Sequence, residues 1–283
     1  VRPIAGSLGA ELSGVDVGAL TTDEFAEVHR AFVEYQVIVF RDQTLEPDAF
    51  LAFARRWGEI VRYPSMEGLS THPEILEILK TEQDTYAFGN QWHTNSSFLA
   101  IPPKATMLYA LELPFTGGDT VFANMYQAYD SLSAEMQRVL SGLRVLNIGD
   151  RKVSRVNELH RMTQQDPGKV QVRAAHPVVR THPESRRKAL FVGAHSVEFE
   201  GMTAEESAPW SSSSSSMACA RSSPAAFAGA RGRLASGTTV AASTTRSMIT
   251  RAAAGGCTAS RSPARKPPTE QRERCSRGLG SER

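Results

Sequence analysis

The chain has no cysteine before Cys219, no histidine after His195, and a single aromatic residue, Phe227, beyond Trp210. Cys219, Cys257 and Cys275 show no C-x-x-C pairing, which removes both a zinc-finger reading and a disulfide framework. No apolar run approaches the ~20 residues that a membrane helix requires. The opening stretch from Val1 to Glu11 carries glycine and acidic interruptions where a signal peptide needs an apolar core. The expectation is a soluble, cytoplasmic protein. The motifs G-x-S-x-G, H-E-x-x-H and G-x-G-x-x-G are missing too, which weighs against common hydrolase, zinc-protease and dinucleotide-binding classes.

What is present divides at Trp210. The 283 residues carry a net charge of +2, but this is a cancellation. Residues 211–283 hold 12 Lys+Arg against three acidic residues, a balance of +9, so the preceding body stands at −7. All seven histidines lie in the body. The tail begins with six serines, Ser211 to Ser216, and continues in Ser, Ala, Arg, Gly and Thr. Such a composition buries too little apolar surface to offset chain entropy, so the tail is expected to be disordered. Two regions follow: a domain over 1–209 and a low-complexity segment over 210–283.

The body reads as mixed α/β and mainly β. Thr22 is placed to cap a helix with Phe25, Val28 and Phe32 on one face. Val37 to Phe40 reads as a buried strand, and Pro47 to Trp57 as a helix with Phe50, Phe53 and Trp57 on one stripe. Further strands are expected over Ile75–Leu79, Ala105–Leu113, Thr120–Ala123, Val145–Ile148, Pro177–Arg180 and Ala189–Val192. Gly117-Gly118-Asp119 reads as a turn. One long helix is expected over 126–143, from Tyr129, Leu132, Met136 and Leu140 at three- and four-residue steps.

His93 and Asn95 are two apart, so on an extended strand they would point to one side. His-x-Asp at this spacing supplies two neighbouring ligands of a 2-His-1-carboxylate iron site. His-x-Asn alone reads rather as a buried, hydrogen-bonded histidine beside Trp92, an amide oxygen being a poor ligand beside carboxylate. Its surroundings add more. Phe40-Arg41-Asp42-Gln43, Phe53-Ala54-Arg55-Arg56-Trp57-Gly58-Glu59, Trp92-His93-Thr94, Gly117-Gly118-Asp119-Thr120, and His176-Pro177-Val178-Val179-Arg180-Thr181-His182-Pro183 occur in order, followed by Ala189-Leu190-Phe191-Val192.

This series resembles the TauD/TfdA family of taurine and phenoxyacetate-herbicide dioxygenases, over residues 1 to about 209. The resemblance implies a double-stranded β-helix (jelly roll) with flanking helices. It also implies Fe(II), 2-oxoglutarate as cosubstrate, O₂, and a small organic acid that is hydroxylated with release of succinate and CO₂. His93 matches the first iron ligand, Asn95 stands where the family has aspartate, and Thr120 matches the residue that hydrogen-bonds the oxoglutarate carboxylate. The family's sulfonate-gripping loop has Tyr63 and Met66 as its counterparts here, which argues against taurine itself. Tyr63, Arg62 and Asn90 are read either as pocket residues for another small acid or as solvated loop positions. His176 and His182 flank an apolar strand segment and could bind metal, but the family context reads them as structural.

Two departures stand out. A neutral Asn95 predicts weaker Fe(II) retention than aspartate. The family's distal histidine and its arginine-bearing closing strand have no counterpart in the tail, so the closing strands are expected to be missing or disordered. A one-base shift nevertheless lets codons for Ser243 to Thr250 read Gln-His-Tyr-Ala-Ile-Asn-Asp-Tyr, with the histidine codon overlapping Thr244. Other tail stretches restore family-like strings at the same offset, so the tail reads as a closing segment translated out of frame. Two alternatives stand beside the dioxygenase: an inactive pseudoenzyme or binding module of the same fold, and, less favoured, a nucleic-acid binder acting through the +9 tail. The sequence leaves homo-oligomer formation open.

Overall fold

A computed structural model describes residues 1–63, 66–79, 92–112, 120–149 and 172–209, together with the backbone of 225–227, 234–237 and 246–253. Asn90, the Gly117–Asp119 turn and Thr244 lie outside the described residues. The first layer begins with β1 (Arg2–Pro3), β2 (Ala10–Leu12), helix α1 (Thr22–Tyr35) and β3 (Val37–Phe40). The capping residue is Thr21 rather than Thr22. Its hydroxyl accepts from the Glu24 amide at 3.2 Å, while Glu24 accepts from the Thr21 amide at 2.8 Å. Gln36 ends the helix at φ 67°, its amide still bonded to the Phe32 carbonyl at 2.8 Å. The helical crossover makes β2 and β3 parallel neighbours.

β3 lacks polar alternation because both its faces are covered. Ile38 and Phe40 enter the cluster formed by α1, by α2 (Pro47–Arg55) and by Trp57, while Val37 and Val39 pack with Leu8 and Phe122. Burying each such side chain contributes about 2 kcal/mol. Phe25, Phe32 and Phe53 meet the Trp57 ring edge-on at 4.8–5.9 Å, so the apolar stripes expected on both helices converge on one indole.

The main sheet runs β1-β2-β3-β14-β6-β15-β4, with β5 also on β15. Here β4 is Glu59–Ile60, β5 Ile75–Leu79, β6 Ala105–Glu112, β14 Leu234–Gly237 and β15 Arg246–Ala253. The expectation of an unstructured tail is corrected for these segments and for β13 (Ala225–Phe227), which pairs antiparallel with β7 (Thr120–Phe122). β14 pairs with both β3 and β6, and β15 lies parallel to β6, β5 and β4. The physical reason is backbone satisfaction. Without β14, the facing ladders of β3 and β6 would carry unpaired amide groups, and strand pairing asks little of side-chain identity.

The second layer holds β8 (Arg144–Ile148), β9 (Arg173–Pro177) and β12 (Ser196–Phe199) in one sheet, and β10 (Val179–Thr181) with β11 (Lys188–Leu190) in another. The expected long helix is instead two, α3 (Met125–Asp130) and α4 (Ala134–Ser141). Serine chemistry divides them: Ser131 Oγ donates to the Ala128 carbonyl at 2.9 Å, and Ser133 Oγ accepts from the Met136 amide at 3.3 Å as a new N-cap. Their apolar faces join Val145, Val178 and the Ala189–Val192 block in a second core.

A polar cluster bridges the layers. Lys104 Nζ lies 2.6 Å from Glu184 Oε1 and 3.0 Å from His29 Nε2. His29 Nε2 also lies 3.1 Å from Glu184 Oε2, and burial followed by the Lys104 charge pushes the His29 pKa below the ordinary value. The described strands do not close into a barrel. Among the described residues, no helix is long and apolar enough to cross a membrane.

Candidate active site

His93 and Asn95 meet, but not on a strand. Residues 92–94 are irregular and lead into a turn over 95–98 in which Ser96 takes φ 51°. The turn nevertheless sets His93 Nε2 2.8 Å from Asn95 Oδ1. Asn95 Nδ2 donates to Thr106 Oγ1 on β6 at 2.9 Å, which fixes the amide with its oxygen toward the imidazole. A cation about 2.1 Å from each donor would subtend close to a right angle there, the geometry of adjacent octahedral positions. One imidazole and one amide oxygen therefore fit a divalent metal, with less charge than a carboxylate would bring.

The turn is locked to the second layer by buried polar groups. Asn147 Oδ1, on β8, accepts from Ser97 Oγ at 3.2 Å and from Ser196 Oγ at 3.0 Å. Ser196 Oγ in turn accepts from the Gly193 amide at 3.2 Å. The Ala194 amide donates to the Trp92 carbonyl at 2.9 Å, and the Ile148 amide to the His195 carbonyl at 3.0 Å. Gly193 lies so close that an added Cβ would stand 3.0 Å from His93 Cα. These contacts bring the His195 ring to 6.0 Å from that of His93, at an interplanar angle of 85°.

Tyr63 reaches this centre through rings. It meets Phe98 edge-on at 6.0 Å, and Phe98 meets His195 at 5.1 Å. Its other neighbours are Met66, Leu76 and Ile78, and burial pushes its phenol up to about 12. Thr120 is half-buried at the start of β7, and among the described residues no hydrogen bond joins it to the His93–Asn95 pair. His176 and His182 are buried, each hydrogen-bonded to the backbone. His176 Nε2 bonds the Leu99 carbonyl at 2.9 Å, and His182 Nδ1 accepts the Glu184 and Ser185 amides. Burial lowers the pKa of both.

Residues 1–212 match the family described as "Taurine catabolism dioxygenase TauD, TfdA family". The chain belongs to the TauD/TfdA family. It is 32% identical over 226 residues to the alpha-ketoglutarate-dependent 2,4-dichlorophenoxyacetate dioxygenase of Cupriavidus pinatubonensis, covering 72% of this chain and 77% of that protein. It is 30% identical to the alpha-ketoglutarate-dependent sulfate ester dioxygenase of Pseudomonas putida, over 68% of this chain and 65% of the other. A solved structure of a putative alpha-ketoglutarate-dependent taurine dioxygenase from Burkholderia xenovorans superposes with a TM-score of 0.70 at 26% identity, covering 84% of this chain and 79% of that one. As a TauD/TfdA member the protein is an enzyme of the 2-oxoglutarate-dependent dioxygenase class.

The sequence singles out His93, Asn95 and Tyr63 as candidates but not Thr106, Asn147 or His195, which the fold places close to the His93–Asn95 turn. The one available signal was Gly193-Ala194-His195 directly after the apolar Ala189–Val192 block, in the turn that follows β11.

Proposed function

We propose that this TauD/TfdA member uses Fe(II), 2-oxoglutarate and O₂ to hydroxylate a small organic acid, with His93 and Asn95 as metal donors and Thr120 toward the oxoglutarate carboxylate. The observation that carries this is the 2.8 Å approach of His93 Nε2 to Asn95 Oδ1. The bound iron and cosubstrate supply the oxidant, 2-oxoglutarate leaving as succinate and CO₂. The fold assigned is the family's double-stranded β-helix, supported by the likeness to the taurine dioxygenase structure.

The chain's own residues shape substrate binding. Tyr63 stays a neutral phenol across the physiological range and so serves as a hydrogen-bond donor to an anionic headgroup. Phe98 and the tyrosine ring form an apolar wall that suits an aryl or alkyl body and keeps water away. Relatives named for an aryloxyacetate and for sulfate esters support a sulfonate, aryloxyacid or similar acid as substrate. Asn90 is assigned to the same pocket through the resemblance. A soluble, cytoplasmic enzyme is the accompanying reading.

Succinate formation from 2-oxoglutarate with added Fe(II), measured across a panel of aryloxyacetates, alkyl sulfates and sulfonates, tests the proposal. Turnover with any of them and its loss in His93→Ala are expected. A full-length chain that binds 2-oxoglutarate yet forms no succinate with any acid would instead establish the pseudoenzyme, a reading that neutral Asn95 favours. For the tail we retain the out-of-frame reading over 210–283, supported by a family match that stops at residue 212 inside the six-serine run. Sequencing the coding DNA around Trp210 decides it: codons unable to encode the family strings at the shifted offset overturn it.

A further inference from the structure

We propose that His195 supplies the third metal donor of this chain, taking the role left empty by the histidine missing after it. This rests on the reading of His93 and Asn95 as metal donors and extends it to a residue that the sequence pattern does not assign.

Three observations carry the inference. The first is proximity: two imidazoles that share one cation, each nitrogen about 2.1 Å from it, place their ring centres roughly 4.5 to 6.4 Å apart. The His93 and His195 rings stand 6.0 Å apart, inside that span. The second is rigidity. His195 is held through its carbonyl by the Ile148 amide, its neighbour Ala194 by the Trp92 carbonyl, and Gly193 packs directly on His93. The two backbones are thus brought together by these contacts. The third is chemistry. His195 is the last histidine in the sequence, and two imidazoles with one amide oxygen form a donor set suited to borderline first-row cations. All three donors are neutral, so the cation keeps its full charge and attracts an anionic co-ligand such as a 2-oxo acid.

The test is a Co(II) titration of the full-length, metal-free chain, followed by visible absorption and equilibrium dialysis without cosubstrate. Wild type is compared with His93→Ala, His195→Ala and His195→Phe. The phenylalanine variant keeps the ring contacts with His93 and Phe98 but carries no nitrogen. Both His195 variants should weaken cobalt binding by more than about tenfold, the scale on which even an outer-sphere partner matters. Cobalt binding by His195→Phe equal to wild type, with His93→Ala impaired, overturns the proposal and leaves the His93 reading intact. A wild type that binds no cobalt overturns both. Proton spectra of the cobalt-loaded wild type provide a reading that needs no variant. Two paramagnetically shifted imidazole N–H signals are expected, and a single one means that the rings merely touch edge to face.

Discussion

The His93 ring lies 6.0 Å from the His195 ring, nearly perpendicular to it, although the two residues arrive from opposite layers of the fold. His93 comes with the turn bonded to β6 through Asn95 and Thr106, and His195 with the loop bonded to β8.

Restoring a carboxylate should strengthen the metal site. In Asn95→Asp the Thr106 hydroxyl can donate where it now accepts, so the side chain keeps its partner while gaining a charge. Affinity for Fe(II) or Co(II) should rise by about tenfold or more by equilibrium dialysis. Unchanged affinity would show that the charge of this side chain does not limit metal retention.

Gly193→Ala should hurt fold and site together. The new Cβ would press on His93 Cα at 3.0 Å and on the Thr94 nitrogen at 3.2 Å, both backbone atoms that cannot swing aside. A loss of about 1–3 kcal/mol is expected from urea unfolding, accompanied by weaker cobalt binding.

Asn147→Ala removes the acceptor shared by Ser97 and Ser196 and leaves two buried hydroxyls short of a partner. Each such loss costs about 1–3 kcal/mol. Urea unfolding should therefore show a larger loss than Ser97→Ala alone.

Stability should fall on mild acidification. His29, His176 and His182 all have folded-state pKa values below the 6.5 of a free imidazole, burial being the largest cause in each. A depressed folded pKa means that the unfolded chain takes up protons first. The stabilisation is thus complete above about 6.5 and drains as pH drops below it. Glu184 acts further down. Burial tends to raise it, but the hydrogen bond and charge of Lys104, helped by His29 and His182, hold it below 4.5, so its contribution is lost only under stronger acid. The groups facing this cluster are His29 from α1, Lys104 from the segment before β6, and His182 with Glu184 from the loop after β10. Urea midpoints at about pH 7.5 and 5.5 should differ in that direction, and less so in His176→Phe.

Ser236→Pro probes the tail. Ser236 pairs with Ile38 on one side and Met107 on the other, and proline can donate to neither ladder. A cost of about 3 kcal/mol or more is expected by thermal or urea unfolding. No cost would mean that β14 contributes nothing to the sheet.

How much was legible depended on whether the local signal had a competitor. β3 was readable because four apolar β-formers in a row have no helical alternative of that length. The helix over 126–143 was misread because its apolar spacing runs straight through Ser131 and Ser133, whose hydroxyls redirect the backbone. Ser196–Phe199 was missed as a strand since Ser-Val-Glu-Phe shows too little alternation over four residues. His93 and Asn95 could be found by spacing, although a turn and not a strand brings them together. His195 could not, because its place is set by long-range backbone bonds to Trp92 and Ile148. The tail strands had no side-chain signal; their pairing answers a need of β3 and β6.

The two apolar cores contribute one final consequence. Met107 and Tyr109 of β6 belong to the first, and Val145 of β8 with Leu190 to Val192 to the second. A cation held as proposed by His93, Asn95 and His195 would span the seam between them, so its binding energy would count toward their cooperativity as well as toward catalysis. By mass action, metal at a hundred times its dissociation constant adds about 2.7 kcal/mol to the folded state. With such a site, metal loading and resistance to unfolding would be linked, and starvation for the ion would lower the population of folded molecules as well as activity.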